Sequence, residues 1–185
     1  MEPASTISEM PRDNRGKSVS VLGSTGSIGC NTLDLIARNR DRFDVVALTG
    51  NRNAELLAEQ ARKFKPALAV VAEEGRYMDL KQALSGTGVE AATGSDALIY
   101  AAELEAELVM AGIVGIAGLE STMAAAKRGA TVALANKECL VCAGQLLMSS
   151  IEKSGGKLIP VDSEHNAIFQ VFDIDQSRAV RKIIL

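Results

Sequence analysis

The chain reads as a doubly wound, mostly parallel α/β fold, on three observations. Short apolar runs alternate regularly with helix-patterned stretches, a glycine-rich turn follows the first run, and the apolar residues are Leu, Ile, Val and Ala rather than aromatics. Of the 185 residues 47% are hydrophobic, enough to bury a core, while aromatics make up 3% and Trp is absent. With 16 Gly, that palette suits parallel strands covered by helices on both faces. The alternation itself predicts right-handed βαβ crossovers.

The elements follow in chain order. Met1 to Gly16 is polar, holds two Pro and lacks a hydrophobic segment. A loose, disordered tail over residues 1–16 is expected there, not a secretion signal. Glu2, Glu9 and Asp13 are out of place in a plastid transit peptide. Strands are predicted at 19–22, 45–48, 67–71, 89–92, 108–111, 131–134 and 158–161. Helices are predicted between them at 27–39, 54–64, 76–84, 96–104, 119–128 and 139–153. Gly75, Gly86 and Gly88 blur the boundaries of the third and fourth steps. A short helix opens near Glu164 and continues to Phe172, and a new β-like run is expected at 179–185. Ending on that apolar run, the chain reads as stopping just inside a second domain. The expected organisation is thus a tail over 1–16, a dinucleotide-binding domain over 17–161 and the opening of a catalytic domain over 162–185.

Composition excludes several function classes. A net charge of −3 offers no electrostatic footprint for nucleic acid. No stretch of about 18 uncharged apolar residues implies a membrane span. Three cysteines without a secretory context point to a reducing cytoplasm.

Gly23, Gly26 and Gly29 stand at a strand-to-helix junction. Glycines there let the backbone turn sharply and approach a pyrophosphate, and the helix N-terminus adds free N–H groups and partial positive charge. The spacing is Gly-x-x-Gly-x-x-Gly rather than the commoner Gly-x-Gly-x-x-Gly of Rossmann folds. Thr25 and Ser27 add hydroxyl donors. After the second strand an acid would hold the ribose of NAD, but this chain has Gly50, Asn51, Arg52 and Asn53. The Arg52 guanidinium pairs with a 2′-phosphate, so NADP(H) is favoured; the alternative is a solvated loop charge.

Asp162 and Glu164 follow the last predicted strand at its carboxyl end, where open α/β sheets bind ligands. Two hard oxygen donors suit Mg²⁺ or Mn²⁺, and a third protein ligand is expected beyond Leu185. The same residues also read as a helix cap, Asp162, and a dipole-favouring acid, Glu164. Asn136, Lys137 and Glu138 follow another strand end, with Lys137 placed to neutralise a substrate oxyanion or simply to start a helix. His165 suits a helix-start or supporting role better than direct metal ligation. Cys139 and Cys142 have redox spacing, but their apolar setting favours packing over thiol chemistry. The glycine-rich stretch 110–118 lies against a nicotinamide or reflects tight packing.

Taken together, residues 23–29, 50–53, 110–119, 134–138 and 158–170 resemble the 1-deoxy-D-xylulose 5-phosphate reductoisomerase family, over about 17–185. The stretch 160–170 is the specific part. The resemblance implies a Rossmann-like NADP domain and an enzyme of the methylerythritol phosphate route to isoprenoids. Such an enzyme rearranges the sugar phosphate and then reduces the aldehyde with NADPH. It further implies that Thr25, Gly26, Ser27 and Ile28 hold the pyrophosphate. Gly50, Asn51, Arg52 and Asn53 would surround the adenosine phosphate, although Asn51 stands where some members have Gly. Asn136 and Glu138 would touch the cofactor, Lys137, Ser163 and Glu164 the substrate, and Asp162 with Glu164 the metal. A homodimer is implied for the full-length enzyme, and a fragment of this extent is expected to bind NADPH without turning over substrate. The competing readings are a simple NADP-dependent dehydrogenase and a non-catalytic NADP-sensing module.

Overall fold

The computed structural model describes residues 16–172 and 177–183. Seven parallel strands form one sheet: β1 (Lys17–Leu22), β2 (Phe43–Gly50), β3 (Leu68–Val71), β4 (Glu90–Thr93), β5 (Leu108–Ala111), β6 (Thr131–Leu134) and β7 (Lys157–Pro160). Their spatial order is β4-β3-β2-β1-β5-β6-β7, each neighbour pair parallel. Helices α1 (Ser27–Arg38), α2 (Ala54–Phe64), α3 (Tyr77–Ala83), α4 (Ser95–Glu103), α5 (Leu119–Lys127) and α6 (Lys137–Ser154) make the crossovers, and α7 (Ser163–Val171) follows β7. The doubly wound, Rossmann-like class expected from the alternation is the class observed.

Period-two alternation along the strands sorts the core into two layers. Val19, Val21, Val45, Leu48, Ala69, Val71 and Met110 pack with Leu33, Ile36, Leu57 and Phe64 on the α1–α3 face. Leu22, Ala47, Leu68, Val70, Val109 and Val132 pack with Ala101, Ala125, Leu147 and Ile151 on the α4–α6 face. One irregularity, between Val19 and Ser20 against β2, restores the alternation after Val46. Both faces are therefore dry, which is why the strands read as continuous apolar runs.

Helix ends obey local chemistry. α2 stops where Lys65 turns left-handed (φ 52°) ahead of Pro66, which cannot continue a helix. α6 stops at Gly155 (φ 71°). It starts at Lys137, before the first apolar residue of its pattern, and is kinked at Ala143 (φ −142°, ψ 24°). In the blurred region a 3₁₀ turn (Glu74–Arg76) precedes a short α3, and Gly86 and Gly88 both adopt positive φ. The β-like run expected at 179–185 is not a strand in its described part. A 3₁₀ turn covers Ser177–Ala179 and residues 180–183 are exposed and irregular. A strand needs a partner for its N–H and C=O groups, and none of the described strands runs beside this segment. Residues 184–185, like residues 1–15 of the tail expected over 1–16, lie outside the described residues.

Close approach of α1 to the first turn depends on Gly29. A Cβ there would sit 2.3 Å from the Gly23 carbonyl oxygen and 2.5 Å from Ser24 Cα, both backbone. At Gly26 the nearest atom would be 3.4 Å away, an ordinary contact. Gly29→Ala is therefore expected to cost on the order of 3 kcal/mol or more, and Gly26→Ala under about 1 kcal/mol. Denaturant unfolding of the two variants side by side checks this; equal costs would contradict the packing role of Gly29.

Candidate functional site

In this strand order the winding reverses between β1 and β5, whose carboxyl ends splay into the crevice where open α/β sheets bind ligands. Two clefts open there. The larger, about 410 Å³, is lined by Gly23, Thr25 and Gly26 after β1, Thr49 to Asn53 at the end of β2 and just past it, Ala72, Leu98, and Gly112, Ile113 and Val114 after β5. The smaller, about 260 Å³, is lined by Ile28, the same Gly112, Ile113 and Val114, and then Ala135 to Glu138 and Asp162 to Glu164. The loop after β5 is thus a wall common to both.

The first turn is built to present backbone donors. Gly23 has φ 81°, and a Cβ there would strike the Gly112 carbonyl oxygen at 2.8 Å, so the β1 and β5 loops touch only because the residue is glycine. Gly23 N–H donates to Thr49 Oγ1 (2.9 Å) and Ser24 N–H to the Thr49 carbonyl (2.7 Å). α1 then begins at Ser27, with Gly26 at its N-cap position, no side-chain cap and no acid in its first turn. By contrast Asn53 caps α2 by accepting from Leu56 N–H (3.0 Å), with Glu55 in its first turn. An uncapped N-terminus facing the cleft fits an anionic pyrophosphate. Arg52 and Asn51 are exposed and line the same cleft.

Asn136 is 3% exposed, and its Nδ2 donates to the carbonyls of Ile113 and Gly115, both at 2.7 Å. Its Oδ1 is buried without a partner. The amide nitrogen of the side chain assigned from sequence to the cofactor thus holds the shared loop, while the residue also lines the smaller cleft. Lys137 is exposed and Glu138 half-buried, both at the mouth of the smaller cleft.

Across that cleft, Asp162 is the N-cap of α7. Its Oδ1 accepts from His165 N–H (3.0 Å) and lies 2.6 Å from His165 Nδ1. Partial burial pushes this carboxyl upward and is the largest single influence. The backbone and imidazole hydrogen bonds from His165, with its charge, outweigh it and hold Asp162 below the usual carboxylate range. Glu164 and Ser163 are exposed in the first turn of α7. Two carboxylates on one cleft match a hard divalent cation in donor type. Among the described residues no three His, Cys, Asp or Glu side chains cluster as a metal centre. Cys139 is fully buried, its thiol pushed up by that burial, while Cys142 is exposed, so the pair has no reactive-thiol setting.

Sequence reading assigned no role to Ser24, Thr49 or Gln60, whereas Gly112 falls within the glycine-rich stretch 110–118 that it singled out. Of the first three only Gln60 left a trace, as a polar residue on the apolar face of α2. Loss of the Asn136 tether is measurable: Asn136→Ala is expected to cost about 1–3 kcal/mol. It should also raise amide hydrogen exchange across residues 113–118, and unchanged exchange there would contradict the tethering role.

Comparison with known proteins gives a family and a fold. Residues 19–144 match the family model described as 1-deoxy-D-xylulose 5-phosphate reductoisomerase. The reductoisomerase of Rhodospirillum centenum is 56% identical over 183 residues, covering 97% of this chain and 46% of the relative. That of Rhizobium meliloti is 58% identical over 175 residues, covering 94% and 45%. The solved Zymomonas mobilis reductoisomerase in complex with NADPH superposes with a TM-score of 0.85 at 54% identity, over 88% of this chain and 43% of the other. A reductoisomerase in complex with NADPH, fosmidomycin and magnesium gives 0.82 at 40% identity, over 86% and 40%. The chain spans about half the length of the curated relatives it matches.

Proposed function

The chain belongs to the 1-deoxy-D-xylulose 5-phosphate reductoisomerase family, and on that premise we propose that it supplies the cofactor-holding part of such an enzyme. The reaction is conversion of 1-deoxy-D-xylulose 5-phosphate to 2-C-methyl-D-erythritol 4-phosphate with NADPH and Mg²⁺ or Mn²⁺, for isoprenoid precursors. One observation carries the reading: a dinucleotide cleft and a Lys–Asp–Ser–Glu cleft share the wall formed by Gly112, Ile113 and Val114. A cofactor in the first therefore lies beside chemistry in the second. Two carboxylates with a lysine are superfluous for a non-catalytic sensor, and metal dependence of turnover separates the reductoisomerase from a simple dehydrogenase.

In this proposal the open N-terminus of α1, with Thr25, Gly26, Ser27 and Ile28, binds the pyrophosphate, while Gly50, Asn51, Arg52 and Asn53 take the adenosine 2′-phosphate. Glu138 contacts the cofactor directly, and Asn136 acts through the loop it holds. Lys137 neutralises developing negative charge on the substrate, Ser163 donates or accepts at a substrate oxygen, and Asp162 with Glu164 holds the cation. When bound, the cation supplies Lewis acidity toward the substrate oxygens and NADPH supplies the hydride. Residues 17–161 form the NADP-binding domain and 162–185 open the catalytic one, in a cytoplasmic homodimeric enzyme. These 185 residues hold the cofactor but do not complete the site, so they bind NADPH without turnover.

Arg52→Ala should weaken NADPH by about 1.5–3 kcal/mol, one charge-assisted phosphate contact, and barely affect NADH. Fluorescence titration with both cofactors decides it, since equal losses would remove Arg52 from the 2′-phosphate. Asp162→Asn keeps a strong helix cap while deleting the charge. In the full-length enzyme it should abolish rearrangement and leave NADPH affinity intact. Turnover surviving this change would remove Asp162 from the metal site.

A further inference from the structure

The phosphate loop is gripped from beneath by the neighbouring helix. Gln60 lies on the buried face of α2, 8% exposed, among Leu57, Ala58, Ala61 and Phe64. An amide in such surroundings is costly unless both its ends are paired. Here Oε1 accepts from Ser24 Oγ at 2.7 Å, and Nε2 donates to the Ser24 carbonyl at 2.9 Å. Nε2 also lies 3.7 Å from Cys30 Sγ in the first turns of α1. Ser24 is fully buried, and its side chain serves the protein interior. The next residues, Thr25 and Gly26, line the cleft. At its other end α2 begins at the Asn53 cap, beside Arg52. One rigid helix therefore grips the loop at Ser24 and carries the corner around Arg52.

We infer that Gln60 is a positioning residue for the dinucleotide, setting the spacing between the pyrophosphate loop and the 2′-phosphate corner through its grip on Ser24. This rests on the cofactor reading above. A ligand that spans both points depends on their spacing, and a ligand that occupies one does not. Small misplacements of such points cost large factors in affinity or rate.

The test compares wild type with Gln60→Leu, Ser24→Ala and the double variant in the intact protein. NADPH and adenosine 2′-monophosphate, which reaches only the Arg52 corner, are titrated by calorimetry. Gln60→Leu is expected to weaken NADPH at least about fivefold while leaving adenosine 2′-monophosphate within about twofold. The double variant should lose no more than Gln60→Leu alone, because the Ser24 Oγ bond that Ser24→Ala removes is one of the two bonds to Ser24 that Gln60→Leu already breaks. An NADPH loss below about fivefold in folded Gln60→Leu, or a parallel loss of both ligands, overturns the inference. Should Gln60→Leu fail to fold, Ser24→Ala carries the same comparison with the same expected split, because it removes a single hydroxyl. Wild-type protein that binds neither ligand overturns the cofactor reading itself, whereas wild-type binding without the split overturns only the role of Gln60.

Discussion

Parallel pairing is the constraint on which the rest of this molecule depends. Parallel strands cannot be joined by tight turns, so every connection needs a crossover, and every βα turn emerges at the same rim of the sheet. Residues as distant in sequence as Gly23, Thr49, Gly112, Asn136 and Asp162 therefore arrive at one edge without any dedicated device to bring them together. The reversal of winding between β1 and β5 parts the rim at one point, and both clefts open there.

What the rim then requires is stiffness below and open donors above. Turn peptides with no sheet partner would be costly if left unpaired near the core, and buried side chains meet that need. Thr49 takes Gly23 N–H on its hydroxyl, Gln60 takes the Ser24 carbonyl, and Asn136 takes two carbonyls of the β5 loop. These side chains are nearly or fully buried and hold the loops from below, and Thr49 and Asn136 also line the clefts. Capping does not follow that division: α2 and α7 take side-chain caps from Asn53 and Asp162, whereas α1, α3, α4, α5 and α6 have none, and of these α1 opens at the larger cleft and α6 at the smaller.

Much of the scaffold was legible because hydrophobic periodicity reports burial directly. Strands 108–111 and 131–134 and helix 54–64 coincide with their predicted limits. Misses cluster where a local cue is decided by something distant. The start of α6 is set by the conformation of Asn136 rather than by the first apolar residue, so the pattern placed it too late. The kink at Ala143 interrupts an otherwise regular pattern and left no periodic trace. Ser24 and Gln60 are 36 residues apart and ordinary in type, so their pairing is a tertiary fact that no local window contains. The segment 179–185 carried strand-like composition, but over its described residues 179–183 composition cannot supply the partner a strand needs.

Asp162 shows how two readings of one residue need not compete. Sequence alone left it as a helix cap or as a cation ligand, and the structure displays the cap. Capping engages Oδ1, and a carboxylate carries two oxygens with several lone-pair sites. The same bonds from His165 that favour its ionised form also fix its orientation against the smaller cleft. Ligating carboxylates are themselves held by hydrogen bonds in this way, because an oriented donor loses less entropy on meeting a cation. A carboxylate that starts a helix is thus a suitable donor for a hard cation: already charged, already aimed, and attached to an element that cannot drift without giving up its own cap.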